Sequence, residues 1–445
     1  MEGRSFGTKL GILWTLYFVQ GLPFGFQATA LPVYLREVGV SLTGIGFATA
    51  LALPWSLKLF WAPLVDRFPS EHAARRRSWI LPLQILLALS CLASAWVPPS
   101  RGLAILLVLV FLMNLFAATL DVAVDGLAVD LLSEAELGPG NIAQVVGYKI
   151  GMLTGGGILV WASGRIGWEG LFGAMGVLIA LSLLMTVSFR EQTLVRDPSG
   201  GPRPVSVSGI LRALGRALRS RRAVWLLLFV GTYKLGETMA DTMFKPFLFD
   251  AGFSREQIGL WVGTWGMLFS ISGSVAGGWL ASRMPLLRAA AVTATLRVLP
   301  VAGEWWLSLV EPTTIRVVLV TAGEHFFGGA LTTAMFAFMM SSVDRRISAT
   351  HYTLLASVEV WGKLPAAWVS GLVTQTTSYP FLFGLATVLS VAFLGLLWPL
   401  AKARPGVGSP RATVGAADPI RDSRPTAGRR SPETTHPRPP TGGRP

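Results

Sequence analysis

FLMNLFAATL (111–120) runs without a break into DVAVDGLAVD (121–130). The first ten residues are apolar enough to sit in lipid, yet the helical run continues through Asp121, Asp125 and Asp130. An ionised side chain at the bilayer centre is disfavoured by about 2.5–3.5 kcal/mol on insertion scales. A membrane helix carrying three carboxylates must therefore turn them toward water or a partner. At about 100° per residue, Asp121 and Asp125 fall about 40° apart, with Asn114 between them in angle. Asp130 points the opposite way, near the helix end, where it can reach interfacial water.

The rest of the chain supports the membrane reading. Of 445 residues, 52% are hydrophobic and 14% charged, and mean hydropathy is +0.54. A soluble protein of this size carries about 25% charged residues. Roughly twelve apolar runs approach the length a spanning helix needs. They lie near 10–35, 42–65, 78–97, 102–132, 142–163, 170–189, 223–249, 256–282, 287–309, 315–342, 348–374 and 379–401. This pattern predicts an all-α polytopic membrane protein.

A net charge of +14 and a pI near 10.7 could suggest nucleic acid, but the distribution of charge argues against it. Arg75, Arg76 and Arg77, the arm 190–222, Arg283, Arg288, Arg345, Arg346 and the tail all fall on one predicted side. The other side keeps Arg36, Arg101, Arg165, Arg255 and Arg316. Positive charge concentrates in cytoplasmic loops, so both termini are expected in the cytoplasm, with anionic lipid as the partner of the basic segments. The single cysteine, Cys91, lies in a predicted span and permits no internal disulfide. No cleavable signal peptide is expected.

The basic arm divides the spans six and six. The expected organisation is an N-terminal bundle (1–189), a linker (190–222) with an amphipathic helix carrying Arg212, Arg216 and Arg219, a C-terminal bundle (223–402), and a disordered tail (403–445) rich in Pro, Gly, Arg and Thr. The halves echo each other. YLREVGVSLTGIG (34–46) aligns with FLFDAGFSREQIG (247–259), so that Gly39, Ser41, Ile45 and Gly46 match Gly252, Ser254, Ile258 and Gly259. Two repeated bundles around a central site suit alternating access.

WSLKLFWAPLVDRFPSEHAARRRSW (55–79) resembles the loop between helices two and three of the major facilitator superfamily. Lys58, Trp61-Ala62-Pro63-Leu64, Asp66-Arg67, and Arg75-Arg76-Arg77 before Trp79 look like the AmpG-type muropeptide permeases, a branch that also holds acetyl-CoA transporters. Further matches include Gly21-Leu22-Pro23, Asp121-xxx-Asp125, Gly147-Tyr148-Lys149, Tyr233-Lys234-Leu235-Gly236-Glu237, Phe327-Gly328-Gly329 and Gly362-Lys363. Leu120 stands where those permeases carry Gln. The resemblance implies that spans one, four, seven and ten line a central cavity and that Lys58, Asp66, Arg67, Arg75, Arg76 and Arg77 form a latch at the cytoplasmic edge. It also implies that the glycine-rich fifth and eighth spans (Gly147, Gly151, Gly155; Gly273, Gly277) pack on each other across the domain boundary.

Periodicity supplies further polar stripes. Lys234, Glu237, Asp241 and Lys245 share an arc of about 80°, and Tyr352, Glu359 and Lys363 one of about 40°. Glu324 shares a face with Gly328, and Gln20 with Phe24 and Gln27. Two close carboxylates suppress each other's ionisation. Asp121 and Asp125, with Glu237 or Glu324, are thus proton-coupling candidates. Gln20, Gln27, Asn114, Lys149, Lys234, Asp241, Lys245, Tyr352, Glu359 and Lys363 are substrate-binding candidates, the lysines suiting an anion. The competing reading pairs Lys234 with Glu237, Asp241 with Lys245 and Glu359 with Lys363 as internal ties. Phe24, Trp265 and Phe336 are candidates for stacking on a sugar or adenine ring. His325 and His351 have no Cys or second His at ligand spacing, so neither a metal nor a cofactor is expected. His325 remains a proton-transfer candidate beside Glu324.

The expectation is a secondary, proton-coupled transporter for a polar, anionic solute such as an anhydro-muropeptide, acting as a monomer in a bacterial inner membrane. The alternatives are an acyl-CoA-like metabolite carrier and a transporter-like sensor that signals through its arm and tail. No nucleophile elbow, HExxH or GxxxxGK[ST] motif supports an enzyme or an ATP-driven pump.

Overall fold

The computed structural model describes residues 6–40, 48–67, 76–97, 102–189 and 207–402. Among these, twelve membrane-crossing segments and no strand are present. The first span covers 6–37, the second 49–67, the third Arg77–Ala95, the fourth Leu103–Leu131, the fifth 137–166 and the sixth 168–188. The seventh covers 221–250, the eighth 255–283, the ninth Leu286–Leu309, the tenth Thr314–Ser341, the eleventh Ser348–Thr376 and the twelfth Tyr379–Lys402. Arg75, Arg101, Ser41, Ile45, Gly46, residues 190–206 and the tail 403–445 lie outside the described residues.

Several crossings are assembled from shorter pieces. A π-turn at Phe26–Ala30 interrupts the first span, and others occur at Thr154–Ile158 and Gly259–Trp265. Gly167, at φ 71°, turns the chain between the fifth and sixth spans, a conformation that glycine adopts without a Cβ clash. The seventh span breaks at Tyr233 and Lys234 into helices Arg221–Thr232 and Leu235–Asp250. Broken helices free backbone groups at membrane depth, which lipid cannot satisfy, so such breaks face protein or a wet interior.

The repeat seen in the sequence recurs in the backbone. At the end of the first span the Val38 N–H donates to Tyr34 O and the Val40 N–H to Leu35 O, with Gly39 at φ 84°. At the end of the seventh, the Ala251 N–H donates to Phe247 O and the Phe253 N–H to Leu248 O, with Gly252 at φ 92°. Both are left-handed glycine helix stops, in which a 6→1 bond closes over the last turn.

The fifth and eighth spans pack on each other across the halves as the resemblance implied, while their glycine stripes face partners within each half. Gly147, Gly151 and Gly155 sit on the backbone of Trp14, Phe18 and Leu22 in the first span. Gly273 and Gly277 sit on Phe326 and Ala330 in the tenth. Both stripes therefore bring helices together within a half, because only a missing side chain lets two backbones approach so closely. The fifth and eighth spans do meet across the halves, through Gly138 against Gly278 and Ser282.

The outer surface is a belt of exposed apolar side chains, including Phe60, Trp161, Ile315 and Trp368. Cations stack on tryptophans near span ends: Arg165 on Trp161, Arg283 on Trp279, Arg316 on Trp306 and Lys402 on Trp398. Amphipathic rings and long cations at that level anchor a protein at the lipid–water boundary. The linker contributes helix Val207–Leu218. It buries Ile210, keeps Arg212, Arg216 and Arg219 exposed, and packs on Ala62–Arg67 and on Arg345–Ile347. Residues 6 and 402 begin and end the bundle on one side, called here the terminal face.

Candidate functional site

In the N-terminal half, Asp121 pairs with Lys58 of the second span. Asp125 accepts a hydrogen bond from Tyr17 Oη at 2.7 Å and a longer one from Gln144 Nε2 at 3.3 Å. All five groups are buried, so each carboxylate meets a donor that replaces lost hydration. Lys58, expected at the cytoplasmic edge, instead lies about 12 Å deeper than Asp66 along its helix, by the helical rise. Asn114 accepts a hydrogen bond from Trp55 Nε1 at 2.9 Å. Phe24, Trp55 and Tyr148 pack ring on ring at 5.6–6.3 Å, with the Lys58 ammonium over Trp55. Phe24 thus joins an aromatic wall, whereas Trp265 is exposed and Phe336 packs against the core. Gln20 is fully buried with neither amide atom partnered, and Gln27 Oε1 is also unpartnered.

The C-terminal half is organised by a residue the sequence reading passed over. Arg297 of the ninth span donates to Glu324 Oε1 at 2.6 Å and to the Glu324 carbonyl at 2.9 Å. Its guanidinium also lies 3.2 Å from Glu237 and 3.6 Å from Asp241. A planar fork with five donors can serve several carboxylates at once. The expected Lys234–Glu237 and Asp241–Lys245 ties are absent among the described residues: Glu237 and Asp241 turn to Arg297, and Lys245 is exposed. Glu359–Lys363 is present at 3.1 Å, and Lys234 joins it, 3.4 Å from the same carboxylate. Glu324 also touches His325 Nδ1, while His351 Nδ1 accepts from the Asp344 N–H at 3.1 Å. Among the described residues no group of three or more His, Cys, Asp or Glu is arranged to hold a metal ion.

Lys149 spans the halves. Its ammonium donates to Ser270 Oγ at 2.6 Å, Ser274 Oγ at 3.0 Å and the Ser270 carbonyl at 3.2 Å, all on the eighth span. Tyr352 of the eleventh span is buried within electrostatic reach of Asp125 and Asp121. Two half-sites, one on each bundle, therefore face the same interior.

Toward the terminal face the halves are pinned. Arg76 is fully buried and donates to Asp66 at 2.8 Å, Asp130 at 3.0 Å and Ser348 Oγ at 2.6 Å. Ser348 Oγ also donates to Asp130 at 2.7 Å, and Arg345 to the Leu132 carbonyl at 2.8 Å. Asp130, expected in interfacial water, is thus part of a buried network. Arg77 turns within its own half, to the Val187 carbonyl at 2.7 Å. Arg67 also has an interaction in the structure. The hydrogen bonds seen here to join the halves run from this face as deep as Lys149.

Of the groups missed in the sequence, Arg297 and Glu304 carried a signal: seven residues apart in an apolar span, they fall about 20° from each other on one face. Tyr17, Trp55, Gln144 and Tyr148 carried none beyond their polarity.

A sequence model described as Major Facilitator Superfamily matches residues 13–362. The anhydromuropeptide permease of Escherichia coli (strain K12) is 29% identical over 386 residues, 86% of this chain and 78% of that protein. The Rickettsia felis protein named as transporter AmpG 4 is 25% identical over 401 residues, 88% of this chain and 97% of its own. Among solved structures, the transporter FucP in the outward conformation superposes with a TM-score of 0.69 at 14% identity, over 89% of this chain and 99% of that one. The proton:xylose symporter XylE superposes with a TM-score of 0.66 at 11% identity, over 88% and 96%.

Proposed function

Because the chain belongs to the major facilitator superfamily, we propose that this membrane transporter imports an anhydromuropeptide-like solute together with protons. The terminal face is the cytoplasmic one by its positive charge, in a bacterial inner membrane, with 1–189 and 223–402 as the two moving bundles of a monomer joined by the linker 190–222. The contacts that pin the terminal face support a state closed to the cytoplasm.

The observation that carries this reading is the pair of facing half-sites. Asp121 and Asp125, held by Lys58, Tyr17 and Gln144, form the proton site of the N-terminal half. Protonation of Asp125 would discharge the carboxylate that Tyr17 and Gln144 hold and weaken both hydrogen bonds. Lys234 and Lys363 share one carboxylate partner, Glu359, while Lys149 is bonded to serine oxygens alone. That leaves excess positive charge for a substrate carboxylate, while the Phe24–Trp55–Tyr148 wall suits the apolar face of a sugar ring. The permease name of the E. coli relative supports this solute class.

Uptake of a labelled anhydromuropeptide into proteoliposomes tests the proposal. Accumulation should require an inward proton gradient and be lost on Asn substitution at both Asp121 and Asp125, with the variant still inserted. Full uptake by that double variant would refute the proton role. Uptake of an acyl-CoA in place of the muropeptide would redirect the substrate.

A further inference from the structure

Glu304 lies in the ninth span, seven residues after Arg297. It is completely buried, and neither carboxylate oxygen has a hydrogen-bond partner. The charged groups facing it are Arg297 from its own span, Glu324 from the tenth and Glu237 from the seventh. Asp241 and His325 stand one contact further out, on Arg297 and Glu324. The eighth span carries titratable residues only near its ends (Arg255, Glu256 and Arg283), as does the twelfth (Tyr379 and Lys402).

One guanidinium therefore stands against four carboxylates. Arg297 contacts Glu324 and Glu237 and reaches Asp241, whose side chain is 44% exposed and keeps its hydration. Among the described residues Glu304 has no cation contact and no donor. An ionised carboxylate in that position costs many kcal/mol, and the group neutralises rather than bear it.

We propose that Glu304 is a proton-carrying residue of the C-terminal half, a neutral carboxylic acid in this state that gives up its proton when the Arg297 cluster exchanges partners. The inference rests on the transport reading for its role in the cycle, but not for its protonation. In the step proposed, the proton leaves the Glu304 carboxyl oxygen for the Glu324 carboxylate. Glu324 becomes neutral and Glu304 anionic, the guanidinium turns from one to the other, and the charge of the cluster is unchanged. Glu324, in contact with the part-exposed His325, then releases the proton to water.

Two measurements test this. Infrared spectra of the purified, lipid-reconstituted protein without substrate should show a protonated-carboxyl C=O band at neutral pH that is missing in Glu304→Gln. A wild-type protein with no such band, or a Glu304→Gln spectrum that loses carboxylate intensity instead, overturns the proposal. If Glu304→Gln does not fold, Glu304→Asp takes its place. Its protonated-carboxyl band at neutral pH must be shifted in frequency from the wild-type one, and an unshifted band overturns the proposal. In proteoliposomes, Glu304→Gln should keep counterflow of labelled anhydromuropeptide but lose about tenfold in gradient-driven accumulation, within the usual range of coupling between sites. Glu304→Asp should recover part of it. Wild-type accumulation by Glu304→Gln, or equal loss in both variants, removes Glu304 from the cycle. Absence of any muropeptide transport by the wild type would count against the substrate reading and leave the infrared result standing.

Discussion

Asp66 of the second span caps a helix of the opposite half: its Oδ2 accepts the Thr350 N–H at 2.8 Å and the Thr350 hydroxyl at 2.6 Å. The eleventh helix begins after Ile347, whose side chain cannot cap it. A carboxylate at that point satisfies an orphan N–H and meets the positive end of the helix dipole. Separating the halves at the terminal face must break this contact and take the Ser348 hydroxyl away from Arg76 and Asp130. Asp66→Asn keeps the shape but loses the charge. With about 1.5–3 kcal/mol in a charge-assisted bond, the closed terminal face should lose about 10- to 100-fold in relative population. Spin labels on Glu134 and Arg346, which lie on terminal-face turns of the two halves, report this as a longer distance. An unchanged distribution would show that the cap does not hold the gate.

Lys58 and Asp121 form a buried pair, so losing one partner should hurt more than losing both. Breaking such a pair costs about 3–5 kcal/mol, whereas replacing both ions is often tolerated. Lys58→Met is therefore expected to lower the melting temperature clearly, and adding Asp121→Asn should restore much of it without restoring gradient-driven uptake. A thermodynamic cycle over the wild type, both single variants and the double should give a coupling of about 0.5–3 kcal/mol. Strict additivity would mean that the two side chains do not interact in the membrane.

The fold was legible from apolar runs, whose predicted limits fall within a few residues of most observed spans, and from one repeat, whose glycines at 39 and 252 both end helices at positive φ. Those features are local, set by length and backbone conformation. The site was only half legible. Periodicity finds the wet face of a single helix but not the azimuth of its neighbour. Glu237 and Asp241 were thus read against lysines of their own span, although they face Arg297 two spans away. Lys58 looked like part of the basic loop that follows it, because depth along a helix does not show where its side chain ends. Attention to the cavity-lining spans also hid the ninth, where Arg297 and Glu304 broke an apolar run just as conspicuously as Asp121.

Outside the membrane, Glu136 offers a titration with a defined sign. It accepts Lys9 Nζ at 2.8 and 3.0 Å and the Ser133 N–H at 2.9 Å. Partial burial alone would raise its pKa, but the hydrogen bonds from Lys9 and Ser133 outweigh that and hold it below the ordinary carboxylate value. A lowered folded-state pKa gives stability that is complete above the unfolded value of about 4.3 and lost as pH falls through the folded one. Wild type should thus exceed Glu136→Gln by about 0.5 kcal/mol at neutral pH, and the gap should close in acid below pH ~4. Melting followed by tryptophan fluorescence at both pH values measures it. A gap that widens in acid would reverse the assignment.

Lys149 separates binding from gating. Its ammonium reaches across to Ser270 and Ser274, and Lys234 of the seventh span lies within its electrostatic reach. No carboxylate is bonded to it among the described contacts, and Glu237 and Glu324 act on it only at longer range. An anionic solute entering between the halves would therefore find an ammonium with no bonded counter-ion. Lys149→Met should then raise KM for an anionic muropeptide more than it lowers kcat, the mark of a contact made before and during the transport step alike. Ser270→Ala with Ser274→Ala removes the tie to the eighth span but keeps the charge, so it should leave KM nearly unchanged and alter the rate of opening instead. A neutral analogue lacking the peptide carboxylates should be insensitive to Lys149→Met. If that analogue loses as much affinity as the anion does, the lysine acts by holding helices together and the charge plays no part in recognition.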